Sequence, residues 1–353
     1  MKNKGTDTPP PSPGIGEEPD ELYDDEVAEE IDVIDGEADV SLKGLLLFIL
    51  MITKVFQGDM EEESEGEELE ELPGGIDQLE TLMEEYENSQ MEDTSKLVFS
   101  KHGKSVFSCS VNVGEGLAAT GGEDDKGYVW RIDSGEVVST FDDWSDSVTE
   151  MHWNKDCSML AAADMGGNIK VWKYPGFKMI WSFELGQDVL WLQWHPQAAV
   201  LLAGTGDGQV WVWRIPGGES KVLGGSGERV ECGQVMQDGR RAAAGYSDGS
   251  VKIWDMKTCE QMHNLTGVHK DAVVNVTLSS TNLLLSGSSD GSVGLWNCNT
   301  GKNVGLLLCG DQEEQGVESV AVSDHNVYTG NLAGVAALWD VSTQVCITNI
   351  PFL

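Results

Sequence analysis

Residues 283–297 read LLLSGSSDGSVGLWN. An apolar run, a Ser-Ser-Asp-Gly cluster and a second run alternating up to a Trp describe two short strands joined by a tight turn. The pattern recurs. The segments GYVWRI, IKVWKY, VWVWRI, VKIWDM, VGLWNC and AALWDV place a Trp at 130, 172, 213, 254, 296 and 339, at intervals of 42, 41, 41, 42 and 43 residues. Six and five residues before each Trp stand Asp124-Asp125, Gly166-Gly167, Asp207-Gly208, Asp248-Gly249, Asp290-Gly291 and Ala333-Gly334. Such pairs between apolar runs signal a short hairpin whose two central residues take positive φ. Each unit is therefore a small antiparallel sheet whose third strand ends in the Trp. Alternation over four to six positions is that of half-buried strands, and no unit holds ten residues of helical periodicity.

A four-stranded unit of this period resembles the WD repeat of a β-propeller. The resemblance covers residues about 100–350 and implies an all-β fold. Two units carry the family's polar set, with His102, Thr120, Asp124 and Trp130 in the first and His269, Ser286, Asp290 and Trp296 in the fifth. It implies that indole N–H, hydroxyl, imidazole and carboxylate form a chain, because buried polar groups need partners. Unit two departs from the set, with Trp144 near the His position and Gly166 for the Asp; unit six has Ala333. Closer still, TGGEDDKGYVWR, WHPQAAVLLAGTGDGQVWVW and DGRRAAAGYSDGSVKIWDMKT, with the acidic tail, resemble the family of angio-associated migratory cell proteins. That resemblance implies a cytoplasmic protein, and its fungal branch implies a dedicated chaperone for a newly made basic protein of the large ribosomal subunit.

Each innermost strand reads apolar, x, small, apolar, x, apolar, as in VFSCSV from Val106 and VESVAV from Val317. The third slot lines the central channel near one rim, and holds Ser108, Glu150, Trp191, Cys232, Asn275 and Ser319. Glu150 and Trp191, beside Trp144 and Asp146 in DDWSDS and Asp188 in GQD, make a rim pocket for a basic, partly apolar peptide. Trp191 also fits a plain packing role, for which Trp is common in buried positions.

The formal charge of −38 is uneven. Residues 1–100 carry 30 acids and 5 bases, a net of −25, and residues 101–353 carry 30 and 17, a net of −13. All twelve Trp and all seven Cys lie beyond residue 100. The reading is a disordered acidic tail over 1–95 and a propeller over 96–353. No basic cluster is present for a phosphate backbone, so the expected partner is a basic protein or peptide rather than nucleic acid. The cysteines are odd in number and never spaced C-x-x-C, which argues for a reducing, cytoplasmic setting and against a zinc site. No GxSxG, P-loop or HExxH occurs, and the Gly-rich GGSGER at 224–229 lacks a following helix, so no catalytic residue, metal or cofactor is expected. The Asp-Gly turns sit one blade apart, too far to share a calcium ion.

Within the tail, IDQLETLMEEY (76–86) has one apolar helical face but is marginal alone. Residues 40–57, VSLKGLLLFILMITKVFQ, are an apolar island between acidic runs. Leu42 to Phe56 is too short for the ~20 apolar residues of a membrane span, and Leu45–Ile52 is apolar all round. Val40-Ser41 and Phe56-Gln57 can be encoded by splice-donor and splice-acceptor sequences. The segment thus reads as a translated intron, a hypothesis that genomic and RNA reads test; other codons at both ends would end it.

The expected function is non-catalytic protein–protein interaction, capturing a basic client such as a nascent large-subunit ribosomal protein. The alternative is a cytoplasmic or cell-surface scaffold in cell migration and angiogenesis signalling, which a net of −13 disfavours where the ligand is a polyanion. One further expectation concerns closure. KLVFS (96–100) would be the strand completing the final blade, yet TQVCITNI (343–350) already supplies that blade's outermost strand. The resemblance implies an eight-bladed ring, so the six repeats read as an incomplete one that can self-associate through open faces and edges.

Overall fold

The computed structural model describes residues 95–353 apart from 226, 280–281, 310–315, 324–325 and 352–353. The readings of the acidic tail, the 76–86 helix and the 40–57 island lie outside the described residues.

The described chain forms six four-stranded antiparallel sheets, each made of four consecutive strands in simple meander order. They are blades 1 to 6, spanning 106–141, 148–184, 189–223, 230–265, 273–308 and 317–351. The strands start and stop where the repeat places them. In blade 5 the innermost strand is Val273–Leu278, the second Leu283–Ser288, the third Ser292–Asn297 and the outermost Lys302–Leu308. Most second and third strands are buried on both faces, not half-buried as the alternation suggested: Leu117–Gly122 and Val200–Thr205 are buried at every residue. Ala and Gly allow this, since blades close on both sides only where one side chain of each facing pair is small. The outermost strands, such as Val137–Phe141, keep the alternation.

The turns differ from the two-residue form read from the sequence. Only the second residue of each pair is left-handed, from Asp125 at φ 56° to Gly208 at 87°, and the first is not. In blades 2 to 6 that second residue's N–H returns to a carbonyl three positions back, as from Gly291 to Ser288 O at 3.1 Å. This is a type I turn followed by a left-handed residue, the three-residue hairpin loop. Each turn is also tied to the loop entering its blade. The N–H of Glu123, Met165, Gly206, Ser247, Ser289 and Leu332 donates to the carbonyl of Ser105, Ser147, Asp188, Arg229, Ala272 and Gly316 at 2.9–3.2 Å. In a meander these entry loops and turns share one end of every sheet, and the bond repeated in each blade makes that end a continuous rim.

Blades pack in sequence. Leu117, Ala119, Val129 and Phe141 of blade 1 meet Val148, Met151 and Leu160 of blade 2; Ile169 and Val171 of blade 2 meet Leu192, Trp194 and Trp213 of blade 3. The same seam recurs through blade 6. Among the described residues no packing of comparable extent joins blade 6 to blade 1. Residues 96–100 are not a strand of any blade, which corrects their expected role. Leu97 and Phe99 instead lie on Ala118, Tyr128, Trp130 and Val137 of blade 1, because a strap of two large side chains covers apolar surface there that no neighbouring blade covers.

Candidate protein-binding rim

In blade 5 the polar chain is complete and directional. The Trp296 indole N–H donates to Ser286 Oγ at 2.8 Å, and Ser286 lies 2.6 Å from His269 Nε2. His269 Nδ1 lies 2.9 Å from Ser292 Oγ, which donates to Asp290 Oδ1 at 2.5 Å. A neutral imidazole protonated at Nδ1 satisfies every member. The direct His269–Asp290 bond implied by the resemblance is absent: those atoms stand 3.8 Å apart and Ser292 relays between them. Burial drives the His269 pKa below its ordinary value, and the Asp290 carboxylate only partly opposes that.

Blade 1 keeps part of the set. His102 Nδ1 meets Asp124 Oδ1 at 2.9 Å and Nε2 meets Thr120 Oγ1 at 3.0 Å. Trp130 is not in that chain. Its N–H makes no hydrogen bond, and its ring stacks on Phe99 with centroids 4.4 Å apart. Two substitutes escaped the sequence reading. In blade 6, Trp339 donates to Thr329 at 3.0 Å and the Cys309 thiol donates to the same oxygen at 3.6 Å, so Cys309 stands where His is expected. In blade 2 the buried carboxylate is Asp164, two residues ahead of Gly166, and it accepts from Asn168 N–H at 2.7 Å and Ser145 Oγ at 3.2 Å. The sequence cue was present, since Asp164 lies in the strand end just before that turn.

The rim residues divide. Asp146 and Asp188 are exposed, on the loops entering blades 2 and 3. Glu150 is half-buried at the start of its strand, its carboxylate 2.5 Å from His152 Nε2. Asp142, Asp143 and Asp207 are also exposed there. Burial raises the Asp207 carboxyl, but hydrogen bonds from Thr205, Gln187 and the Gln209 N–H outweigh it and hold the group below its usual value.

Trp191 does not belong to the exposed rim, and this corrects its expected role as an anchor. Its side chain is 8% exposed. The ring lies on Gly204 of its own blade and Gly233 of the next, where an added Cβ would stand 2.7 Å from the indole at Gly233. Other blades place Met151, Leu192, Val276 or Val320 at the Gly233 position; glycine there makes the space the indole fills. Trp144 is corrected in part. It is half-buried, its ring edge-on to Trp172 at 5.8 Å, and one face is occupied by the chain's own Lys170, whose Nζ sits 4.4 Å from the ring centroid. Lys170 also pairs with Asp143 at 3.0 Å. The exposed charges beside it are the carboxylates of Asp142, Asp143 and Asp146.

Among the described residues no group of three His, Cys, Asp or Glu is placed to hold a metal ion, and no helix is long and apolar enough to cross a membrane. The seven cysteines are free thiols.

Comparison with known proteins agrees with the architecture. The model of the anaphase-promoting complex subunit 4 WD40 domain matches residues 114–197 and 192–281. The chain is 35% identical over 270 residues to the angio-associated migratory cell proteins of Homo sapiens and Canis lupus familiaris, covering 71% of this chain and 62% of each relative. It thus spans less than two thirds of those relatives' length. Among solved structures, Saccharomyces cerevisiae Sqt1 superposes with a TM-score of 0.66 at 20% identity, covering 72% of this chain and 77% of that one, a likeness of fold.

Proposed function

This chain belongs to the WD-repeat family of β-propellers, and we propose that it is a binding scaffold whose rim at blades 2 and 3 captures a basic protein segment. The observation that carries the reading is charge left unneutralised in a fixed place. The loops and turns of those two blades hold Asp142, Asp143, Asp146, Asp188 and Asp207, and among the described residues Lys170 is the base paired with them, at Asp143. A concentration of one sign on a rigid rim raises the local density of oppositely charged ligand and speeds encounter. Glu150 at the channel mouth supplies a half-buried carboxylate, the kind of position where an ion pair is less screened than at the surface. The resemblance to the angio-associated migratory cell family supports a client such as a newly made basic ribosomal protein, held in the cytoplasm.

The test is capture of client from a lysate by the immobilised chain, identified by mass spectrometry, followed by affinity measurements on the client's basic segment. Glu150→Lys should weaken binding by about 1–3 kcal/mol, the size of an interface anchor. Asp146→Lys with Asp188→Lys should act mainly on the association rate and make binding less sensitive to salt between about 0.05 and 0.5 M. Affinity indifferent to salt and to all three reversals would refute the rim.

A further inference from the structure

Blades 2 and 4 carry a lysine in the same slot, two residues before the Trp of the third strand: Lys170 before Trp172 and Lys252 before Trp254. Their surroundings differ. Lys252 is 5% exposed and belongs to the blade interior, its ammonium 4.6 Å from the centre of the Tyr246 ring. Lys170 reaches out to the rim instead. Its Nζ donates to the Asp143 carbonyl at 2.7 Å, pairs with Asp143 Oδ2 at 3.0 Å and stands 4.4 Å from the centre of the Trp144 ring. A carbonyl, a carboxylate and an indole face thus form a cage around one cation, and all three come from the loop over 142–147 that enters blade 2. The Trp144 N–H is buried without a hydrogen bond, so the ring contributes its face. The filled cage still opens to solvent on one side, since the Asp143 side chain is 67% exposed.

We infer that the Trp144–Asp143 cage is the rim's subsite for an arginine side chain of the client, held in the free protein by Lys170 as a displaceable placeholder. The inference rests on the reading of this rim as the surface that captures a basic segment. A cation brought by another chain would make the contacts that Lys170 makes now. A guanidinium would make better ones, because it stacks flat on an indole and meets a carboxylate with two N–H groups. Lys170 hangs on a flexible four-carbon stem, so rotation about that stem vacates the cage while the strand stays in place. Being tethered, it competes at a roughly millimolar effective concentration, which a single dilute cation does not overcome. A segment that also meets exposed Asp142 and Asp146 on the same loop does overcome it, since its other bases add to the exchange. The placeholder therefore sets a threshold that isolated basic residues do not pass.

Calorimetric titration of the 353-residue chain with hexaarginine and with hexalysine tests this. The wild type should bind hexaarginine about fivefold more tightly, from stacking and the two-pronged bond. Lys170→Met empties the cage and should tighten both peptides about fivefold. Lys170→Arg keeps the charge but strengthens the placeholder, and should weaken both by about the same factor. Trp144→Leu should bring the two affinities within about twofold of each other. Near-ultraviolet dichroism of the tryptophans checks folding. Should either variant unfold, Lys170→Gln replaces Lys170→Met, and Trp144→Phe, with an intermediate preference, replaces Trp144→Leu. If neither peptide binds, or binding ignores Asp146→Lys with Asp188→Lys, the rim falls and the subsite with it. If those reversals weaken binding but Lys170→Arg does not, the subsite alone is overturned, even where Lys170→Met tightens binding, because net charge then explains the gain. A preference for arginine that survives both Trp144 variants unchanged overturns it equally.

Discussion

Blades 5 and 6 are two copies of one unit that the molecule treats differently. Each has its third strand ending in Trp, a hydroxyl beneath the indole, and a Leu one residue before the Trp. In blade 5 the hydroxyl of Ser286 joins Trp296 to an imidazole that continues to Asp290, and Leu295 is sealed between blades at 1% exposure. In blade 6 the hydroxyl of Thr329 joins Trp339 to a thiol, Ala333 occupies the turn's Asp position, and Leu338 lies half-open. A repeat array is stabilised by each unit plus its two interfaces. Among the described residues blade 6 has one interface where blade 5 has two, and a polar chain two links shorter. The packing difference is one of neighbours, since both blades pair their second and third strands in the same register.

The largest test of that difference removes the same atoms from the same slot. Leu295→Ala should cost about 2–4 kcal/mol, because the seam closes around it and leaves a cavity. Leu338→Ala, measured where the chain is monomeric, should cost about 1 kcal/mol, since water already reaches that side chain. Urea denaturation of the two variants gives the ratio directly. Equal losses would mean that the blade 6 face is covered in solution.

A smaller gap is expected from the hydroxyls. Ser286→Ala strands both the Trp296 N–H and His269 Nε2, and should cost about 3 kcal/mol. Thr329→Val strands one indole N–H and a weak thiol donor, so about 1–2 kcal/mol is expected. Asp290 matters less than the family pattern suggests, because its carboxylate bonds Ser292 and the Lys270 N–H rather than the imidazole. Asp290→Ala should accordingly cost no more than Ser286→Ala by the same measurement, and a larger loss would restore the direct pairing.

The sequence made the blades legible and their surroundings less so. Trp spacing and turn pairs fix every strand within a few residues, and His102, Thr120, Asp124, His269, Ser286 and Trp296 meet as the repeat requires, because these are contacts inside one unit. Part of what failed lies between units, as Trp191 does, and part within one, as Trp130, Asp290 and Trp144 do. Trp191 reads as a rim residue until Gly233, one blade later, gives it a seat. Trp144 reads as open until Lys170 is found over it. Leu295 and Leu338 are indistinguishable as letters, and only the presence of a seventh face could separate them. Ser292 and Cys309 were missed for a simpler reason: a turn Ser and a loop Cys carry no pattern that marks them as links in a chain.

The weakest lever is pH, and it should act on the two blades from opposite sides. His269 is held neutral, its folded pKa pushed below the ordinary 6.5 chiefly by burial. A group lowered in the fold contributes stability that is fully present above its unfolded pKa and is lost as the pH falls through the folded value. Blade 5 should therefore loosen as the pH falls below about 6.5. His195, which follows the innermost strand of blade 3, is lowered by burial in the same way. Cys309 is the reverse case. Burial raises its thiol from 9.0 to about 11, against the Thr329 hydrogen bond. Its contribution is complete below 9 and is lost as the pH rises from there through about 11. Hydrogen exchange read out on the indoles of Trp296 and Trp339 separates the two, after correction for the pH dependence of exchange itself. Trp296 should lose protection first in acid and Trp339 first in alkali. Replacing His269 by Gln should flatten the acid limb while leaving the alkaline one, and Cys309→Ser should do the opposite. If both indoles respond together on both limbs, the six blades unfold as one unit and the contrast between them is confined to packing.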